Sequence, residues 1–560
     1  MYNLNKKHWY LIGAWFVISL LQAVFTGLHS DESYYWMYSQ NLAWGYFDHP
    51  PMIAFLIRPG YLLFSGEAGV RLFIVLLSTA TFALIVNELN EKKDIPFLIL
   101  FILSFPLIHT HIAGFLAIPD VPLLFFTLCF LILYRKFLEK PSLIISALLA
   151  VSTAAMIYSK YHAFLVIGFT VFSNLKLMRN KYFWLTVAFT IILLVPHAWW
   201  QFDNEFPTFK YHLVDRAKPF RMKHIVNNLL SQYAMAGPLT GVLVFWALAR
   251  FKIKSDFDRA LIFNILGFYI VLFLVSFKNR IEAHWSAAAI PMLMFAIYPI
   301  IKGDSKVKLW FKRLAVPTVV LMFLFRLYLA LDVIPNVGHS KIAFYNRNVH
   351  AQEIKELANG KKVGFFNNYA AISNYIFYSG DSAVLLSTPD YRFNQFDLWD
   401  EEKYAEGEPV FAIKSKDLNP PNLGIMATGQ YRGYLIIEKF QSLKGIEIEI
   451  VKAEKTGDFY QFEVKLQNNS SRTVSMAHVS KPVLAVMQNK IELRSTPLAG
   501  VSGNPALNPG DTLLLNINIP IRKVDTKYPL VFYTRTKEKY RGEVASLQMR
   551  KFASQVGANL

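Results

Sequence analysis

Up to Asp332 the chain is written as long apolar runs broken by short polar turns, and beyond it no run is long enough to span a bilayer. Spanning takes about 20 apolar residues, fewer where a neighbour covers the end. The runs that qualify are Trp9–Leu28, Val70–Val86, Ile95–Ile108, Val121–Tyr134, Ser142–Tyr158, Ala163–Leu175, Tyr182–Trp199, Leu229–Ala249, Ala260–Phe277, Ala283–Ile301 and Leu314–Leu331. They predict an α-helical membrane bundle of about eleven spans over residues 1–332. Met52 to Gly66 is short and holds Pro59, so it reads as an amphipathic segment lying in the interface.

The pattern then changes period. Gln352 to Asn359 and Ala370 to Tyr378 read as helices, and Lys362 to Phe366, Pro409 to Lys414 and Tyr434 to Phe440 as strands, which predicts a small soluble α/β domain over 333–443. From Gly445 apolar and polar residues alternate, as in Ile446-Glu447-Ile448-Glu449-Ile450, Tyr460 to Val464, Val483 to Met487, Leu513 to Ile519 and Leu530 to Tyr533. Turn clusters such as Asn508-Pro509-Gly510-Asp511 separate them, so 444–560 reads as an all-β sandwich.

Composition agrees: 560 residues, 54% hydrophobic, with a mean hydropathy of +0.30, describe a multispanning protein with a soluble attachment. The net charge of +19 divides into +13 up to Asp332 (30 basic, 17 acidic) and +6 after it (28 basic, 22 acidic). Neither part shows the clustered basic and aromatic pattern of a nucleic-acid reader. The one cysteine, Cys129, lies in an apolar run, which rules out an intramolecular disulfide or a cysteine zinc cluster. Trp9–Leu28 has no small-x-small exit and reads as an anchor that is kept.

When the connections are assigned alternately to two sides, 19 basic residues fall on one, among them Lys6, Lys7, Lys92, Lys93, Arg135, Lys176, Arg250 and Lys302. The other side holds ten. The positive-inside rule then puts the amino terminus in the cytoplasm, and an odd number of spans puts the soluble half outside. The unusual polar residues share that outer face: Asp31, Glu32, Asp48, His49, Asp120, Lys160, Asp203, His212, Arg216, Glu282 and His284.

Carboxylates beside hydrocarbon are costly unless water, a cation or a reacting group meets them. Asp31-Glu32 follows the first run, and an interfacial anchor is its plainer role; Asp48-His49-Pro50-Pro51, Asp120 and the aromatics Tyr34, Tyr35, Trp36, Trp44, Tyr46 and Phe47 converge with it on chemistry. A carboxylate near a hydroxyl or amine can take its proton as that group attacks. Asp120, in Pro119-Asp120-Val121-Pro122, would equally serve as a helix N-cap. Lys160 is either a snorkelling lysine or a contact for a lipid-linked phosphate. Arg216 with its basic neighbours, and Arg280 near His284-Trp285, suit an anion, with lipid headgroups as the plainer partner for the Arg216 cluster. Asp48, His49, His212 and His284 are possible metal donors, though no local ligand spacing stands out.

In order along the chain, Asp31-Glu32-Ser33-Tyr34-Tyr35, Gly45-Tyr46-Phe47-Asp48-His49-Pro50-Pro51, Gly69-Val70-Arg71-Leu72, Pro119-Asp120-Val121-Pro122, Ser159-Lys160-Tyr161, Trp200-Gln201 with Pro207-Thr208-Phe209, and Glu282-Ala283-His284-Trp285 resemble the C-type, multispanning glycosyltransferases. The resemblance is to the bacterial branch related to protein O-mannosyltransferases and lipid A aminoarabinose transferases. It covers roughly residues 9 to 415, including a soluble stretch around Asn374–Tyr378 and Gln395–Trp399, and leaves the β domain outside. It implies an inverting transfer of sugar from a polyprenyl-phosphate donor at the outer membrane surface. Asp31 would be the base, with Glu32 beside it, and Asp120 would place the acceptor. Lys160, Arg216, His284, Arg280 and His49 would hold donor phosphate. Asp48-His49 stands where the aminoarabinose branch carries Glu-Lys, and Asp48 with His212 could hold a divalent cation as in that branch.

The expectation is therefore a membrane glycosyltransferase of the cell envelope. Its partners are the lipid-linked donor, membrane lipids and a glycan, lipid or protein acceptor, with no nucleic acid. A divalent metal ion is left open. The competing readings are a polyprenyl-linked sugar transporter and an inactive glycan-binding membrane protein. A transporter would show internal repeats and polar residues near the bilayer midplane; here ionisable residues gather at span ends and no repeat is found. No G-x-x-x-x-G-K-[ST] loop occurs, as expected where the carrier bond supplies the energy.

Overall fold

The structure, a computed structural model, describes residues 4–210, 220–331, 347–387, 391–414, 422–425, 431–476, 482–488, 491–498, 506–524 and 530–536. The chain divides into two compact units, Met1–Tyr345 and Asn346–Leu560.

The first unit is helical. Its elements are α1 (Lys6–Phe25), α2 (Ser30–Gln40), α3 (Met52–Leu63), α4 (Gly66–Leu89), α5 (Ile95–Leu103), α6 (Asp120–Glu139), α7 (Leu143–Ser159), α8 (Ala163–Ser173), α9 (Lys181–Asp203), α10 (Pro207–Lys210), α11 (Met222–Ala236), α12 (Gly241–Ala249), α13 (Asp256–Val275), α14 (Ala289–Gly303) and α15 (Ser305–Ala330). Six of the described helices, α1, α4, α6, α9, α13 and α15, are long and apolar enough to cross a bilayer, or up to seven if the bent pair α11 and α12 is one span. The eleven apolar runs lie largely in helix, and shorter apolar helices such as α7, α8 and α14 stand beside the six or seven of full spanning length. Leu229–Ala249 breaks into α11 and α12 with a bend of 89°. The cause is local: Gly237 has φ +130°, a Cβ there would meet Thr240 Oγ1 at 2.0 Å, and Pro238 follows with no N–H to continue the ladder. Ile95–Ile108 is likewise shortened, with α5 ending at Leu103 and a π turn following at Ile108–Ile112. Met52–Gly66 does form a helix with Pro59 inside it.

Contacts between helix ends define two poles. At one, His8 at the start of α1 lies 2.7 Å from the carbonyl of Glu91, Tyr298 donates to the Glu91 carboxylate at 3.0 Å, Lys302 pairs with Glu91, and Lys308 with Asp94 at 2.8 Å. At the other meet the end of α1, the starts of α2, α4 and α6, and the end of α7. Between the poles an apolar core runs through Phe97, Phe101, Leu128, Ile265, Phe268 and Ile297.

The second unit contains two more helices, α16 (Arg347–Ala358) and α17 (Tyr369–Ser379), the short α18 (Gln395–Leu398) and thirteen described strands. Strands β1 (Lys362–Phe366), β2 (Ala383–Leu386), β3 (Val410–Lys414), β4 (Asn422–Ile425) and β5 (Tyr431–Ile437) form a sheet in the order β2-β1-β3-β5-β4, with β1 parallel to β2 and β3. Two three-stranded antiparallel sheets follow. One is β12 (Thr512–Pro520), β7 (Phe459–Asn468) and β6 (Ile446–Thr456); the other is β10 (Ile491–Pro497), β9 (Pro482–Gln488) and β13 (Val531–Thr536). A further two-stranded sheet pairs β8 (Val474–Ser475) with β11 (Ala506–Leu507). The alternation read from the sequence turns Phe462, Val464, Leu466, Leu515 and Ile517 inward onto Leu484, Val486 and Phe532 in a shared core.

Candidate active site

The site is assembled from ends of helices. Asn5 caps α1, and the helix stops at Thr26, after which Gly27-Leu28-His29 turn the chain into α2. His29 is the N-cap of α2: its Nδ1 accepts from the Asp31 N–H at 3.2 Å, and Glu32 Oε2 accepts from the His29 N–H at 2.8 Å. This reciprocal box fixes two adjacent carboxylates in opposite directions.

Glu32 points inward and is fully buried. Oε1 accepts from Arg71 Nε at 2.7 Å and from the Ala117 N–H at 2.8 Å, and Oε2 accepts from Arg71 Nη2 at 2.5 Å. Arg71 also donates to the carbonyls of Ala23, Thr26 and Gly27 at 2.9, 2.5 and 2.8 Å, so one guanidinium gathers the exposed carbonyls at the end of α1. Burial alone would raise the Glu32 carboxyl, but the charge and hydrogen bonds of Arg71 outweigh it and hold the group below its ordinary range. Both oxygens of Glu32, expected among the catalytic carboxylates, are engaged in tying α1, α2, α4 and the chain at Ala117 together.

Asp31 faces the other way, 44% exposed along its side chain, with Oδ2 3.6 Å from His29 Nδ1. Asp120 is the first residue of α6 and not its cap, since Pro119 takes that place. Both Asp120 oxygens accept from Lys160 Nζ at 2.9 Å, and both side chains are buried. Lys160 ends α7 in extended backbone, which swings its ammonium back under α6. The snorkelling and N-cap roles are thereby set aside: the lysine and the aspartate are each other's partner. Beside them the rings of His111 and His284 stack with centroids 4.7 Å apart at 16°. The charges of Asp120, Lys160 and His29 all act on both histidines. Burial, with His284 alongside, pushes His111 below the ordinary imidazole range, so its ring is neutral near pH 7. One cluster thus runs from Asp31 through His29, His111 and His284 to Asp120 and Lys160.

His111 was missed from sequence; His-Thr-His directly after an apolar run was the available signal, and Thr110 Oγ1 meets its Nδ1 at 2.7 Å. The other candidates have partners of their own. Asp48 Oδ2 accepts from Tyr34 and Tyr38 hydroxyls at 3.0 and 3.4 Å, and His49 sits edge-on to Tyr35 at 5.5 Å. Arg280 is largely exposed and pairs with Glu282 at 3.3 Å. Arg216 and His212 lie outside the described residues. Among the described residues no three His, Cys, Asp or Glu side chains are placed to hold a metal ion.

The chain's likeness to known proteins can be set against this geometry. The model of the dolichyl-phosphate-mannose-protein mannosyltransferase family matches residues 48–200, which takes in Asp48, Asp120 and Lys160 and leaves out Asp31 and His284. A lipid A galacturonosyltransferase, RgtD, of Rhizobium johnstonii is 22% identical over 285 residues, covering 47% of this chain and 58% of that protein, so less than two thirds of the relative's length is spanned. ArnT from Cupriavidus metallidurans superposes in its apo state with a TM-score of 0.50 at 13% identity, over 75% of this chain and 96% of ArnT. Bound to undecaprenyl phosphate, ArnT superposes with a TM-score of 0.55 at 14% identity, over 77% and 98%. The chain thus shares its fold with ArnT and matches the mannosyltransferase family model over residues 48–200, in keeping with the resemblance to C-type multispanning glycosyltransferases.

Proposed function

We propose that this protein is an inverting glycosyltransferase that moves a sugar from a polyprenyl-phosphate-linked donor to a glycan, lipid or protein acceptor of the cell envelope. The observation that carries this is a solvent-reachable aspartate, Asp31, in one cluster with a buried aspartate–lysine pair at the ends of membrane helices. The acceptor oxygen or nitrogen attacks the anomeric carbon from the face opposite the phosphate. Asp31 takes the proton, the carbon–oxygen bond to phosphate breaks, and the phosphate leaves with the bonding pair. Lys160 starts on Asp120, so an arriving phosphate competes with that carboxylate for the ammonium. His284, Arg280, His49 and Arg216 complete the anion contacts in this proposal, stabilising charge as it develops. Asp120, once exchanged, places the acceptor.

Asp48, which accepts from Tyr34 and Tyr38, and His212 would be the ligands of a divalent cation in this proposal. The bias of basic residues puts the amino terminus in the cytoplasm and the reaction on the outer face of the cytoplasmic membrane.

The test is transfer of labelled sugar in membranes loaded with polyprenyl-phosphate-sugar. Wild type is expected to label a product and Asp31→Asn to lose about 10²–10⁴-fold in rate with unchanged folding. A silent wild type with every donor offered would favour a transporter or an inactive glycan-binding protein, and an active Asp31→Asn would move the base elsewhere.

A further inference from the structure

A second polar network lies near the Asp120–Lys160 pair and is not absorbed by the chemistry above. Tyr161 follows Lys160 in the turn between α7 and α8, and its hydroxyl meets His197 Nε2 of α9 at 2.9 Å. The other ring nitrogen, Nδ1, lies 2.6 Å from the Trp44 carbonyl. A carbonyl only accepts, so Nδ1 carries the proton and a neutral ring leaves Nε2 to accept from the tyrosine. Gln201, one turn further along α9, spends both amide hydrogens: one goes to the Tyr161 hydroxyl and one to Thr208 Oγ1, each at 2.9 Å. Thr208 in turn donates to the Tyr46 carbonyl at 3.2 Å. Every hydrogen in this circuit has one direction, and both arms end on the backbone of the loop that continues into Asp48-His49. His197, Gln201 and Thr208 are all buried. Gly45 lies between the two arms with no room to spare, since a Cβ there would fall 2.3 Å from the Trp200 ring.

Resting on the glycosyltransferase reading, we propose that Tyr161, His197 and Gln201 are positioning residues for the donor site: they lock the Trp44–His49 loop and the α9–α10 corner to the turn that carries Lys160. The loop has little regular structure of its own between α2 and α3. Without the lock it loses its fixed place relative to Lys160, and the groups meant to meet one phosphate no longer converge. A merely structural network would lower stability and leave the kinetic constants of the surviving protein unchanged. A positioning network weakens donor use selectively.

Two measurements on the full-length protein in nanodiscs test this. The first is transfer kinetics against donor concentration for Tyr161→Phe, Gln201→Leu, His197→Ala and His197→Gln. We expect donor KM to rise about tenfold for Tyr161→Phe and Gln201→Leu, each the loss of two buried hydrogen bonds, with kcat within about twofold. His197→Gln, which keeps one donor and one acceptor, should recover part of the His197→Ala loss. The second needs no activity: spin labels at Leu42→Cys and Asp203→Cys, both exposed positions, in a Cys129→Ser background. A narrow distance distribution is expected, broadening in Gln201→Leu. If wild type transfers no sugar, the glycosyltransferase reading fails while the label distances still decide the lock. If the distribution stays narrow in Gln201→Leu, or every variant keeps the wild-type donor KM, the positioning role is overturned.

Discussion

Glu32 with Arg71 and Asp120 with Lys160 are both carboxylate–cation pairs buried at the same pole of the helices, and Ala117, which Glu32 holds, lies three positions before Asp120. Their surroundings differ. Around Glu32 each oxygen accepts twice, and Arg71 reaches three further carbonyls, so any exchange of partners would strand several buried groups at once. Around Asp120 the carboxylate and ammonium have each other, with two histidine rings close by. A saturated pair specifies structure; a pair with one strong partner can trade it for a substrate. Two neighbouring residues of identical charge, Asp31 and Glu32, fall on opposite sides of this division because successive helix positions point about 100° apart.

The comparison breaks most visibly in activity. Asp31→Asn should reduce transfer about 10²–10⁴-fold with an unshifted melting temperature, and a comparable loss of stability would show that Asp31 belongs to the structural side. Arg71→Met should do the reverse in origin, costing about 3–5 kcal/mol because it strands a buried carboxylate; this would be read as a large drop in thermal stability in detergent. Lys160→Met also strands a carboxylate, but here the double variant Lys160→Met with Asp120→Asn should recover at least half of the lost stability while staying inactive. A double-mutant cycle on transfer and on melting separates these two readouts. The smallest effect is pH dependence. Glu32 lies below its unfolded value of about 4.3. Its share of stability is therefore complete above that pH and is lost as pH falls through the folded value. Glu32→Gln should flatten the acid limb of the stability profile, and an unchanged limb would assign the dependence to other carboxylates.

Much of the fold was legible because bilayer and sheet cores leave periodic marks. Each apolar run from Trp9 to Leu331 lies largely in helix, and the alternation at Ile446–Ile450 and Leu513–Ile519 lies in β6 and β12. Less legible was how the helices end. Nothing in the hydropathy of Leu229–Ala249 marks the 89° bend; Gly237-Pro238 was the only cue, and glycine is common in membrane helices. The same holds for the site. Asp31, Asp120, Lys160 and His284 were visible as polar residues at apolar boundaries, where their cost calls for a reason. Their partners were not visible, because Glu32 meets Arg71 across 39 positions and Lys160 meets Asp120 across 40.

The sequence by itself determined where the chain can be buried in lipid, which residues stand at the ends of those segments, and where the period changes to that of strands. These follow from transfer free energy and backbone periodicity, which are local properties of a segment. Only the tertiary structure decided which of two adjacent carboxylates is buried against an arginine and which is partly exposed, that Lys160 rests on Asp120, and that His111 joins His284. Those outcomes depend on which helix ends share a pole, and a charge buried there settles on whichever partner the packing brings within hydrogen-bond reach.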